Sequence, residues 1–94
     1  MATFSRTEAG VAIIRITCPE LTAYSGDPNP VCDFCLAPLR GERRIALVPV
    51  LNQALCPGCA REYIKEARSY PEDAWIEARR EKFWMEFYGL KGGA

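Results

Sequence analysis

Four cysteines carry the clearest chemistry in this chain. They stand as Cys32-Asp-Phe-Cys35 and Cys56-Pro-Gly-Cys59, with 20 residues between the pairs. A two-residue spacer bends the backbone so that both sulfurs of a pair face one ion about 2.3 Å away, and two such pairs complete a tetrahedral four-thiolate site. The intervening length suits one β-hairpin, which would return the second pair to the first. The spacing therefore predicts one structural zinc ion held by Cys32, Cys35, Cys56 and Cys59.

The chain has 94 residues, near the lower size at which an apolar core alone holds a domain, so a metal cross-link would add needed stability. It reads as a single domain: an N-terminal hairpin and loop (1–30), a zinc finger module (31–69), a C-terminal helix (70–90) and a flexible tail (91–94). Twelve basic and twelve acidic residues cancel, which argues against a general electrostatic binder of nucleic acid or membrane. Histidine is absent. That excludes Cys/His fingers, His-based metalloenzymes and Ser-His-Asp or Cys-His catalysis. Five cysteines are an odd number, and the N-terminal residues lack the basic start and apolar core of a signal peptide. A reduced, cytoplasmic, metal-holding protein is expected rather than a secreted disulfide domain. No apolar stretch approaches the length of a membrane span.

The elements that must position the cysteines follow from local pattern. Val11-Ala-Ile-Ile-Arg-Ile-Thr17 is rich in branched residues and follows Glu8-Ala-Gly10, predicting a hairpin with Thr3–Arg6. Cys18 to Pro30 contains Pro19, Gly26, Pro28 and Pro30 among small polar residues and is expected to be a loop. Cys18 itself is expected to behave as a small buried hydrophobe rather than a reactive thiol. Arg44 to Val50 reads as a strand that lies at an edge or ends at Pro49, which lacks a ladder donor. Asn52-Gln53 is the expected hairpin tip, and Ala54-Leu55 leads back to the second cysteine pair.

Pro57 suits the first turn of a helix, and Ala60, Tyr63, Ile64 and Ala67 then fall on one face. A cysteine in that first turn gains from the helix dipole, which favours the thiolate a metal requires. The helix is expected to break at Tyr70, since the residue before Pro71 is pushed out of the helical region. Ser69-Tyr-Pro-Glu72 has the form of a capping box for a second helix over about 71–89. Its predicted stripe is Ile76, Phe83, Phe87 and Leu90, with Trp84 and Tyr88 to one side and Trp75 to the other.

Knuckle, hairpin, then a cysteine pair opening a helix is the element order of the treble-clef zinc fingers, and Cys32-Asp-Phe-Cys35 with Cys56-Pro-Gly-Cys59-Ala-Arg-Glu-Tyr resembles that superfamily over residues 31–69. The resemblance implies a small α+β fold around one structural zinc and no particular function. Nuclease members depend on histidine, and RING-type fingers need eight ligands; neither requirement is met here. Cys56-Pro-Gly-Cys59 is similar to the redox pair of thioredoxin-like oxidoreductases, which need a βαβ context and no second pair. The ligand spacing is also similar to that of rubredoxin, an iron protein whose knuckles carry glycine where this chain has Leu36 and Ala60. A cytidine-deaminase reading fails for want of a histidine-glutamate element before the cysteine pair.

Two surfaces are candidates for function. The aromatic C-terminal helix offers Trp75, Phe83, Trp84, Phe87 and Tyr88, residue types enriched at interface hot spots, and predicts contact with a protein partner or a second copy of this chain. The alternative is a nucleic-acid-binding patch of Arg40, Arg43, Arg44, Arg61, Lys65 and Arg68. Those cations serve equally to offset the negative charge of four thiolates around a divalent ion. No nucleophile–base pair or carboxylate constellation stands out, so a non-catalytic adaptor or regulator without a small-molecule substrate is the expected class.

Overall fold

The computed structural model describes residues 2–90; the tail expected at 91–94 lies outside the described residues. Four antiparallel strands form one sheet in sequential order: β1 (Thr3–Arg6), β2 (Ala12–Ile16), β3 (Ile45–Val48) and β4 (Gln53–Leu55). Three helices flank it: α1 (Cys18–Ser25), α2 (Pro57–Glu66) and α3 (Ala74–Phe87), the last entered through a 3-10 turn at Pro71–Asp73. The α+β class expected from the sequence is the class observed.

The expected N-terminal hairpin forms, with Phe4 opposite Ile14 and Arg6 opposite Ala12. Its turn closes through Thr7 N–H to Val11 O and Gly10 N–H to Thr7 O, both 2.9 Å. Gly10 takes φ +88 there, a backbone region from which a Cβ is largely excluded. Ile14 pairs with Leu47 and Ile16 with Ile45, while Ala46 pairs with Leu55. Successive side chains in a strand point to opposite faces, so Ile13, Ala46, Val48 and Leu55 share one face, and Ile14, Ile16, Ile45 and Leu47 the other. All eight are buried. A β2–β3 centre covered on both faces explains why both read as near-continuous apolar runs rather than alternating ones.

Three expectations fail, each for a local reason. The segment predicted as a loop after Cys18 is helix α1. Thr17 Oγ1 accepts the Glu20 N–H, the Glu20 carboxylate accepts the Thr17 N–H at 2.8 Å, and Gly26 closes the helix at φ +77. Thr17-Cys-Pro-Glu20 is therefore a capping box with proline inside the first turn, where its missing donor costs nothing. The capping box expected at Ser69–Glu72 does not form; Tyr70 precedes the 3-10 turn with no side-chain cap, and α2 ends earlier, at Glu66, with Ala67 already extended. The β3–β4 turn begins at Pro49, so Gln53 belongs to β4 and Asn52 occupies the turn with φ +56, a conformation its short side chain tolerates. The strand does end before Pro49, as expected, although β3 is central.

The phase of α3 also differs from the expected stripe. Trp84 and Met85 are buried, whereas Phe83 is 54% and Phe87 46% exposed. The inward row is Ile76/Glu77, Arg80/Glu81, Trp84/Met85 and Tyr88, and three of these seven residues are charged. Hydropathy alone misplaces such a face. Glu77 Oε2 accepts the N–H of fully buried Ala12 at 3.0 Å, and Arg80 Nη1 donates to the carbonyls of Pro49 and Val50, both 3.2 Å. Glu81 pairs with Arg6 at 2.8 Å. Arg6 shares a sheet face with Ile14 and Leu47, so α3 lies over that face. Lower down, Tyr88 Oη donates to Glu20 O at 2.9 Å and ties α3 to α1. Burial, then the negative charge of Glu20, pushes the Tyr88 phenol up to about 12.

The Glu77 contact fixes the start of α3 against the start of β2. Glu77→Ala leaves a buried N–H without its acceptor and is expected to lower the free energy of unfolding by about 1–3 kcal/mol, whereas Glu77→Gln, which retains an acceptor oxygen, loses less than half of that. Urea denaturation midpoints of the two variants check the ranking.

Candidate metal centre

The first cysteine pair is held by a tight reversal of the backbone. Val31 and Pro38 pair across it, Cys32 N–H donates to Ala37 O at 2.9 Å, and Leu36 N–H returns to Cys32 O at 2.9 Å. Inside the reversal the Phe34 N–H points at Cys32 Sγ, 3.4 Å away. The second pair opens α2: Cys56 is its N-cap, and Cys56 Sγ accepts the Cys59 N–H at 3.4 Å. Both pairs thus aim a backbone donor at a sulfur.

The two halves meet. The sulfurs of Cys32, Cys35, Cys56 and Cys59 all lie within 4.8 Å of one another, with Cys35 and Cys56 at 3.8 Å. A tetrahedral ion with metal–sulfur bonds of about 2.3 Å requires sulfur–sulfur edges of about 3.8 Å. The donor set and its spacing fit a four-coordinate metal ion. Such an ion, when bound, supplies the positive charge that lets four thiolates share one site. The thiols of Cys32 and Cys59 differ in how readily they give up a proton. Burial raises the Cys32 thiol, but the backbone N–H groups of Cys35, Cys56 and Phe34 outweigh it and bring Cys32 down to about 6. Hydrogen bonds from its thiol to Cys35 and Cys56, followed by burial and Cys32, push Cys59 up to about 12.

Sequence reasoning missed the residue that registers one half against the other. Asp33, inside the first pair, donates its N–H to Ala54 O at 3.0 Å and accepts the Ala54 N–H on Oδ2 at 2.7 Å. Ala54 lies two residues before Cys56, so this two-bond clamp sets the distance between the pairs and closes the outer edge of β4. Aspartate is a common local acceptor in turns; nothing in its position signals a partner 21 residues away. Leu36 is the second surprise. It holds φ +63 with its side chain 69% exposed, in a region that normally belongs to glycine.

Cys18 stands outside the four-sulfur cluster and is buried at the first position of α1, donating its N–H to Glu42 O. The candidate aromatic residues divide. Trp75, at 64% exposure, joins Phe83 and Phe87 on the outer side of α3. Tyr24 of α1 packs edge-on to Phe83 at 5.9 Å and Phe87 at 5.5 Å. Trp84, expected among the partner contacts, is only 3% exposed and belongs to the core, because the helical phase turns it toward the sheet; Tyr88 is half-buried. Among the candidate cations, Arg40, Arg43 and Arg44 are exposed in the segment before β3, and Arg61, Lys65 and Arg68 on or just after α2. Lys65 is paired with Glu62 at 3.0 Å, and Arg68 Nη1 donates to the carbonyls of Glu66 and Ala67.

Among the described residues no helix is long and apolar enough to cross a membrane. Comparison of the chain with protein-family models, with curated proteins and with solved structures found no match.

Two outcomes are expected. Chelator treatment of metal-loaded protein, or Cys35→Ser or Cys59→Ser, abolishes the cooperative thermal transition followed by circular dichroism, because ligand geometry and folding are coupled. Leu36→Gly relieves a left-handed strain of about 1–2 kcal/mol against the added freedom of an unfolded glycine. Its thermal stability should match the parent or exceed it by up to about 1 kcal/mol, whereas Leu36→Val is less stable by about 1 kcal/mol or more.

Proposed function

We propose that this chain is a zinc-stabilised, non-catalytic interaction module of the reducing cytoplasm, with a treble-clef-like centre and a working surface on α3. The order of the parts supports the treble-clef reading: a cysteine-bearing reversal at 31–38, the β3–β4 hairpin, and a cysteine pair at the start of α2. Zinc is the ion favoured by four thiolates in tetrahedral array, since it has no redox chemistry to protect and no other ligand is needed to close the site. Cys32, Cys35, Cys56 and Cys59 would hold it and fix hairpin to helix. Adaptor or regulatory contacts would then be made elsewhere on the molecule.

The observation that carries the functional reading is the exposure of three aromatic side chains on the outer side of one helix: Trp75, Phe83 and Phe87. A small protein seldom leaves so much aromatic surface to water without a use for it, and aromatic residues dominate interface hot spots. Arg79, Lys82 and Glu86 share this exposed side, so the surface mixes aromatic anchors with charge that is positive in balance. A protein partner with an apolar face and an acidic border would complement it.

The test is a paired comparison of intact chain and a Phe83→Ser/Phe87→Ser variant. Both side chains are about half exposed, so the variant should retain stability within about 1 kcal/mol. The intact protein is expected to hold a stoichiometric partner, or to dimerise, in sedimentation and affinity capture, and the variant to lose that association. Identical behaviour of the two proteins would remove α3 as the working surface.

A further inference from the structure

A well-formed concavity lies beside α2 rather than on α3. It is a cleft of about 690 Å³, within the size range of ligand-binding clefts. Phe34, Val50, Leu51, Tyr63 and Tyr70 supply its apolar walls. Phe34 comes from the metal-site reversal and packs edge-on to Tyr63 at 6.3 Å. Val50 and Leu51 belong to the β3–β4 turn, which Arg80 fixes through the Pro49 and Val50 carbonyls. The walls therefore come from three separate segments, two of them tied down by the metal site and by α3. A cleft built this way is formed before any ligand arrives.

Its charge is one-sided. Glu62, Glu66 and Asp73 border it against Arg68, the one cation among its lining residues; Glu62 also pairs with Lys65 at the rim, and the balance stays negative in a protein of zero net charge. Arg68 is turned back on the carbonyls that end α2, whereas the carboxylates of Glu66 and Asp73 make no hydrogen bond or ion pair among the described residues. The lining extends from Cys56, the N-cap of α2, to Tyr70 beyond its last turn. A helix of ten residues is about 15 Å long, which matches about four to five residues of extended chain.

From the length, the apolar floor and the acidic border we infer that this cleft binds a short basic peptide segment of another protein, seating one large apolar side chain among Phe34, Leu51, Tyr63 and Tyr70 while flanking lysines or arginines face Glu62, Glu66 and Asp73. The segment does not add as a strand to the sheet at this end, because Asp33 already occupies both hydrogen-bonding groups of Ala54 at the β4 edge. None of the cleft's lining residues belongs to the outer aromatic side of α3. The two surfaces are independent, and together they would make the molecule bivalent.

The test uses the zinc-loaded full chain and a short synthetic peptide with a central leucine between lysines and arginines, titrated by NMR. Amide shifts are expected at Leu51, Tyr63 and Tyr70, with affinity falling as salt is raised. The same peptide with glutamates in place of its basic residues should not bind. A Glu62→Lys/Glu66→Lys variant, whose exposed positions leave the melting temperature in place, should weaken binding roughly tenfold or more. Tyr70→Ser, at a half-exposed position in the linker, weakens it through the apolar floor. Phe83→Ser/Phe87→Ser leaves it unchanged, so failure of this site and failure of the α3 surface are read separately. Equal binding of the acidic peptide, shifts centred on α3, or no shifts at millimolar peptide would overturn the assignment.

Discussion

Two short backbone devices, 20 residues apart in the chain, have to deliver four sulfurs to within 4.8 Å of each other, and the arrangement of the C-terminal half follows from how this is done. Each device is rigid by itself: the 31–38 reversal through its paired N–H and C=O groups, the start of α2 through a cysteine N-cap. What joins them is the Asp33–Ala54 clamp and the β3–β4 hairpin between. Four thiolates at such spacing would repel one another unless a cation sat among them. A closed four-thiolate site leaves no open position for substrate. A metal there would hold strands, helix and cleft wall in register in a chain short enough to need the help.

The second constraint is the attachment of α3. Its inward row carries three charged residues, and each makes a directed contact: Glu77 to the Ala12 N–H, Arg80 to the turn carbonyls, Glu81 to Arg6. Directed contacts of this kind set the rotation of a helix about its axis more sharply than apolar burial can. With the rotation set, Trp84 and Met85 complete the core, and Trp75, Phe83 and Phe87 are left outside. The exposed aromatic surface and the rigid β3–β4 turn that walls the cleft thus share one cause. Arg80 fixes the turn and, through its place on the helix, orients the aromatic side chains outward.

Much of this was legible in residue order. The four cysteines and their common site followed from spacing alone, and the strands at Ala12–Ile16 and Ile45–Val48 from their branched, apolar composition. Helix α2 followed from Pro57 and its apolar periodicity. Other signals were present but misread: Thr17-Cys-Pro-Glu20 is as complete a capping box as any, yet nearby prolines and glycine suggested a loop, while Ser69-Tyr-Pro-Glu72 has the same form and caps nothing. The difference lies in the cap itself: Thr17 exchanges hydrogen bonds with Glu20, whereas the chain after Ser69 enters a 3-10 turn at Pro71 whose N-cap, Tyr70, makes no side-chain bond.

The sequence by itself determined the ligand set, the strand pairing of the hairpins and the apolar content of the core, because these depend on residue type and on neighbours a few positions apart. The tertiary structure alone decided the phase of α3, the joining of the cysteine pairs through Asp33, the left-handed turn at Leu36, and the meeting of Phe34, Leu51, Tyr63 and Tyr70 around one cleft. Each of these rests on a contact between segments distant in sequence. The energy of such a contact exists only once both segments are in place, so no local pattern records it.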